Sequence, residues 1–160
     1  MDADAARQLD QAYADHAGAC RSFATTFDAD VDDATHEAFV KLARRLANGD
    51  GLPDHPRAWL LAAVRSAAFD QARSRRRRQR REAFAIPPTS VPDSPDPEVV
   101  AALWKLDERP RQAIVLRLWC DVGFAEVAVL LGCAASTAHD LYRRGLDDLR
   151  DLLPEHDPSR

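Results

Sequence analysis

Between Asp33 and Ala47 the apolar residues Ala34, Ala38, Phe39, Leu42 and Leu46 recur three and four apart, while Asp33, Glu37, Lys41 and Arg44 gather on the opposite side. That spacing follows the 3.6-residue period of a helix with one buried face and one charged face. NGDGLPDHP, residues 48–56, then reads as a turn-rich loop whose Asp54 is the expected cap of a helix that takes Pro56 in its first turn. That helix, RAWLLAAVRSAAFDQARSRRRR, ends in a block of Arg that has to project into solvent or onto a partner. Further on, apolar positions predict four shorter helices over about 98–106, 109–120, 124–131 and 135–152. Pro110 falls in the first turn of the second, Gly123 ahead of the third, and Gly132 where a helix C-cap favours a left-handed residue. The few Val and Ile residues are scattered and not gathered into alternating runs, so the expected fold class is all-α.

The stretch AIPPTSVPDSPDP, residues 85–97, holds five of the ten prolines and almost no apolar anchor, which marks a linker. With 160 residues to distribute, the expectation is two small helical domains, residues 1–83 and 98–153, joined by a flexible linker over 84–97 and followed by a tail at 154–160. In extended form the linker would reach roughly 35 to 45 Å at about 3.1 Å per residue, more than one turn of duplex DNA.

Charge sharpens this division. Residues 57–81 hold nine Arg and one Asp, a local +8, so a net −4 for the chain leaves −12 on the other 135 residues. A protein so polarised presents its basic part to a polyanion. No apolar run approaches the ~20 residues of a membrane span, and the acidic start MDADAARQLD differs from a secretory leader, so a soluble, cytoplasmic protein without a membrane partner is expected. Cys20, Cys120 and Cys133 are odd in number and widely spaced, fitting small buried hydrophobes and neither a disulfide framework nor a zinc site. No nucleophile stands at readable spacing from a base, and no Gly-rich phosphate loop is apparent. Neither an enzyme nor a bound metal or cofactor is expected.

Two features could contact nucleic acid. FAEVAVLLG followed by CAASTAHDLYRRGLDDL has the layout of a helix-turn-helix, with Ala138, Leu141, Tyr142, Gly145, Leu149 and Leu152 on the inner side of the second helix. Ser136, Thr137, Asp140, Arg143, Arg144 and Asp147 point outward and could enter a major groove; ordinary helix packing is the plain alternative. RSRRRRQRR, residues 73–81, puts seven Arg in nine positions, a run that binding to phosphates would neutralise with release of counterions, and whose plain alternative is a solvated helix end. In the same helix Trp59 and Phe69 are candidates to stack unpaired bases, with core packing as the alternative.

Taken in order, these pieces resemble the extracytoplasmic-function group of bacterial RNA polymerase sigma factors over about residues 9–153. DDATHEAFVKLARRL resembles the helix of the family's region 2 that docks on the clamp helices of the polymerase β′ subunit, which implies Asp33, Glu37, Lys41 and Arg44 as contacts. HPRAWLLAAVRSAAFDQARSRRRR resembles the segment that opens and reads the −10 promoter element, implying Arg57, Trp59, Arg65, Ser66, Arg73, Arg75, Arg76, Arg77 and Arg78. The C-terminal helix pair resembles region 4, which binds the −35 element, implying Ser136, Thr137, His139, Asp140, Arg143 and Arg144. The partners implied are core RNA polymerase, through the β′ clamp helices and the β flap, promoter DNA, and an anti-sigma protein.

The chain departs from the family pattern at three places. Arg65-Ser66 stands where Arg-Asn is usual, Ala134 stands where Ser usually caps the reading helix, and His139, Asp140 and Leu141 occupy positions commonly basic. Two alternatives therefore stay open beside a sigma factor: a stand-alone helix-turn-helix regulator, which would need to dimerise on a palindrome, and a sigma-like polymerase-binding protein that has lost promoter reading.

Overall fold

The computed structural model describes residues 3–27, 29–79 and 97–153, with side chains described at all of these except 76–79 and 97. The described residues form seven helices, and the chain divides into two compact units, Met1–Pro92 and Asp93–Arg160. Of the expected linker, 84–97, all but Pro97 lies outside the described residues, as does the expected tail, 154–160. No single helix among the described residues is long and apolar enough to cross a membrane.

The first unit is a bundle of α1 (Ala3–Ala24), α2 (Val31–Ala47) and α3 (Pro56–Gln79), each packed on the other two. α1 is absent from the helices predicted above. It buries mostly small residues, Ala5, Ala12, Cys20 and Ala24, and closes the core with Phe23, so its apolar stripe is narrow against a polar background. α2 runs as predicted, with Ala34, Ala38, Phe39, Leu42 and Leu46 buried. Its start is fixed by Asp30, which holds an extended backbone and accepts a hydrogen bond from the Asp33 N–H at 2.9 Å. Asp30 is also tied to α3, its own N–H donating to Gln71 Oε1 at 2.8 Å.

α3 begins at Pro56, and the first intrahelical bond runs from the Trp59 N–H to the His55 carbonyl. His55, not Asp54, therefore occupies the cap position, and Pro56 takes the first helical place, where a missing N–H costs nothing. Leu60, Leu61, Ala63, Val64, Ala67 and Ala68 are buried, while none of the described side chains from Phe69 onward is. The bundle core thus ends at Ala68, and the Arg-rich part of α3 continues beyond it.

The second unit comprises α4 (Pro97–Lys105), α5 (Glu108–Leu118), α6 (Phe124–Leu131) and α7 (Ala135–Leu152). Ala102, Leu103, Leu106, Ile114 and Leu149 form its centre, with Val99, Trp119, Tyr142, Leu146 and Leu153 packed around them. Arg111 closes one side: its guanidinium lies 4.3 Å from the Trp104 ring centre and donates to the Trp104 and Leu106 carbonyls at 3.3 and 3.2 Å. Burial lowers its pKa, with Glu108 and then Asp107 acting in the opposite sense. α6 and α7 span the residues expected from sequence, and for α6 glycines mark both limits: Gly123 is its N-cap, and Gly132, at φ 63 and ψ 47, its left-handed C-cap.

Two sequence expectations are corrected in this unit. Leu152 is 38% exposed and not core-facing, because α7 runs past Leu149, the last α7 residue in the buried centre. Cys133 is half-buried, unlike the buried Cys20 and Cys120. As the sequence implies at Ala134, α7 lacks a side-chain cap: it starts at Ala135 behind Ala134, which holds an extended backbone and makes no side-chain cap bond. Ala134→Ser should therefore stabilise this unit by about 1 kcal/mol, read as a higher unfolding midpoint; an unchanged midpoint would mean that water serves these N–H groups equally well.

Candidate nucleic-acid and protein interfaces

The charged side of α2 is a continuous outer stripe. Asp33 and Arg44 are exposed, Glu37 and Lys41 half-buried, and Lys41 Nζ lies 3.4 Å from Glu37 Oε1. Acidic Asp32 and Asp33 in the first turn and basic Arg44 and Arg45 in the last complement the helix dipole. Asp32 is steadied by an ion pair with Arg21 of α1. An exposed i,i+4 pair contributes only a few tenths of a kcal/mol, which leaves these groups free in energetic terms to exchange partners.

On α3 the structure separates the expected residues. Ala62, Ser66, Phe69 and Arg73 are exposed at spacings of three and four, so they form one outward stripe. Phe69 is 42% exposed; one neighbour is the Phe27 ring, edge-on at 5.6 Å, and another is the Arg65 guanidinium, 4.7 Å from its centre. A guanidinium on an aromatic ring, open to solvent at its edge, is a surface on which a planar base can stack. Arg57 and Trp59 are half-buried; Trp59, three residues before Ala62, is on the side of this stripe, whereas Arg57 falls on the opposite side of the helix. Arg57 is near enough to Cys20 to favour its thiolate, yet burial dominates and pushes that thiol up to about 12, so Cys20 is an inert core residue. Arg73 is exposed and Arg75 half-buried, while the side chains of Arg76, Arg77 and Arg78 lie outside the described residues.

On α7, Ser136, Thr137, His139, Asp140, Arg143 and Arg144 are all exposed. α6 and α7 meet at 94° across a short turn, near the angle at which a helix-turn-helix offers its second helix to a groove. What holds that angle is an aromatic cluster invisible to periodicity. Phe124, at the start of α6, has the His139 ring at 5.0 Å, the Tyr142 ring at 5.4 Å and the Arg117 guanidinium at 5.5 Å. His139 is therefore braced against Phe124 along one side, unlike its neighbour Asp140. From α5, Arg109 donates to the Leu131 carbonyl at 2.7 Å and satisfies the end of α6 beside the turn. Phe124 and Arg109 were not among the expected site residues; the only local signal was an aromatic residue following the cap glycine Gly123. Among the described residues no group of three or more His, Cys, Asp or Glu side chains is placed to hold a metal ion.

Comparison with known proteins matches these two units to consecutive regions of one family. Residues 12–78 match "Sigma-70 region 2" and residues 98–149 match "Sigma-70, region 4". The chain is similar to the ECF RNA polymerase sigma factor SigE of Mycolicibacterium smegmatis, 31% identical over 142 residues, covering 79% of this chain and 53% of that protein. It is also similar to the RNA polymerase sigma factor CarQ of Myxococcus xanthus, 33% identical over 104 residues, covering 61% of this chain and 60% of that one. The chain thus spans between half and two thirds of the length of these relatives. Among solved structures, its fold matches the sigma factor RpoE in complex with the anti-sigma factor NepR from Bartonella quintana. The TM-score is 0.74 at 21% identity, over 91% of this chain and 96% of that one. It also matches CnrH in complex with the cytosolic domain of CnrY, with a TM-score of 0.64 at 27% identity, over 91% and 87% of the two chains. With region 2 followed by region 4 and helices throughout both, the chain belongs to the sigma-70 family, in its extracytoplasmic-function group.

Proposed function

We propose that this protein is a promoter-specificity subunit of RNA polymerase, working in the cytoplasm, where core polymerase is, and directing the enzyme to a small set of promoters. The observation that carries this reading is the succession of a region 2 and a region 4, each with its charged face exposed. Asp33, Glu37, Lys41 and Arg44 hold the β′ clamp helices, and the second unit docks by the β flap. Arg65, Ser66 and Phe69 take unpaired bases of the −10 strand, with Arg57 and Trp59 at the base of the same helix, while the Arg block from Arg73 to Arg78 grips phosphates. Loop 48–56 and the first turn of α3 receive an extruded base, whose removal from the duplex costs a few kcal/mol. Residues 1–83 carry these roles, 84–97 act as a tether and 98–153 read the −35 element. The protein performs no bond chemistry of its own; phosphodiester synthesis belongs to the polymerase. An anti-sigma protein is a further proposed partner, because both structural neighbours are described in complexes, one of them with an anti-sigma factor.

On α7 the proposal assigns phosphate contacts to Arg143 and Arg144 and base readout to Asp140, with Ser136, Thr137 and His139 at the edge of the groove. A carboxylate can accept from the amino group of cytosine, whereas it repels phosphate. Asp140→Ala should therefore relax or shift the −35 preference, measured by selection from randomised promoters. A uniform gain across all sequences would mean that Asp140 only repels the backbone.

The test of the whole reading is co-elution of the full chain with core polymerase, followed by transcription from a genomic library. A sigma factor gives a stable complex and discrete start sites. A folded protein that does neither, or one that dimerises and footprints a palindrome without polymerase, overturns it.

A further inference from the structure

Arg44 and Arg45 are adjacent in sequence, yet the structure sends them to different places. Arg44 is exposed on the outer stripe of α2, whereas Arg45 is half-buried and turned toward the loop that follows. Its Nε donates to the Gly51 carbonyl at 2.9 Å and its Nη2 to the Asp50 carbonyl at 3.1 Å. Its own carbonyl accepts from the Asp50 N–H at 3.2 Å, so Asp50 is held at both its N–H and its C=O.

The loop needs such a hold. Gly49 at φ 83 and Gly51 at φ 66 flank Asp50, and an added Cβ at either would meet nothing within 4 Å. Two open, left-handed glycines in three residues carry a large conformational freedom that only tethering removes. A rigid guanidinium fork with charge-assisted bonds to two successive carbonyls is well suited to that task. Beyond the fork the loop offers Leu52, 39% exposed, and the exposed Asp54 and His55 beside the first turn of α3. It contains no Lys or Arg and two Asp, so it is no phosphate clamp, and whatever it contributes to an opened promoter depends on its shape.

We propose that Arg45 is a positioning residue for promoter opening: its fork holds loop 48–55 in the conformation that receives an unpaired base, so that the loop is not ordered at the expense of binding. This inference rests on the sigma-factor reading above. Pre-ordering a receptor loop raises affinity by removing an entropic cost, without any contact between Arg45 and the nucleic acid.

The experiment uses the full chain with core polymerase and compares wild type, Arg45→Ala and Arg45→Lys. Core affinity is read by fluorescence, and opening by permanganate reactivity of −10 thymines on a fully duplex promoter and on the same promoter with a preformed bubble. Arg45→Ala should bind core as wild type does, open the duplex promoter about tenfold less, the size expected when two charge-assisted bonds no longer order the loop, and return to within about twofold of wild type on the bubble. Arg45→Lys, a point charge without the fork, should fall between the two. Wild-type opening by Arg45→Ala overturns the proposal. So does an equal loss on duplex and bubble, or a parallel loss of core affinity, since either makes Arg45 a general support of the fold. If the wild-type protein binds core but opens no promoter, the parent reading fails.

Discussion

Changing Arg75, Arg76, Arg77 and Arg78 together to Ala should remove open complexes at physiological salt while leaving the bundle folded. The buried core of the first unit ends at Ala68, and none of the described side chains from Phe69 to Arg75 is buried, so the substitution lies beyond that core and removes four positive charges. Ala is also a better helix former than Arg, and four fewer like charges ease repulsion along the helix. The electrostatic effect is large. Each phosphate neutralised contributes about 0.7 to the salt slope on single strands and about 0.9 on duplex. Four lost contacts should therefore flatten log affinity against log salt by about 3, with a loss on the order of a hundredfold or more at moderate ionic strength. Titrating promoter DNA with the polymerase complex at several salt concentrations measures both quantities. An unchanged slope would make the block a solvated helix end.

The second large effect is structural. Gly145→Val should destabilise the second unit by about 1 to 3 kcal/mol and, with it, abolish −35 recognition. Gly145 lies in the middle of α7 where that helix crosses α5. A Cβ there would come within 2.8 Å of Ile114 Cδ1, and within 3.1 Å of both the Pro110 Cβ and the Pro110 carbonyl oxygen. Ile114 is fully buried and Pro110 is backbone-anchored in the first turn of α5, so the strain cannot be relieved by a side-chain swing. Removing a helix glycine returns about 0.5 kcal/mol of propensity, too little to offset the clash. For a unit of this size each kcal/mol lowers the unfolding midpoint by about 4 to 8 °C, which calorimetry on the full chain resolves. Gly18→Ala on α1 is the matching control: nothing lies within 4 Å of its added Cβ, so it should stabilise by about 0.5 to 1 kcal/mol. Equal behaviour of the two variants would show that α5 and α7 separate readily.

Much of this architecture is legible in the sequence. α6 and α7 span the residues expected from Gly123, Gly132 and the apolar spacing between them, since capping and periodicity are written in neighbouring residues. α1 could not be read this way, because a face of Ala5, Ala12 and Ala24 carries too little hydrophobic contrast to mark a helix, and becomes a core only once α2 and α3 pack against it. The cap of α3 shows the limit at single-residue scale. Asp54 has the better capping side chain, but the chain enters the helix one residue later, at His55.

For the interfaces, sequence alone determined the helical class, the polarity of charge between the Arg-rich segment and the rest of the chain, and which helix of the C-terminal pair could read a groove. Each follows from residue type and short-range spacing. Only the tertiary structure decided that Arg44 faces solvent while Arg45 clamps a loop, and that His139 is braced by Phe124 while Asp140 stands free of that ring cluster. It likewise decided that Gly145 is required for a close helix crossing. Those distinctions depend on groups brought together from separate helices and loops, where contact is set by packing across the bundle and no local pattern carries the information.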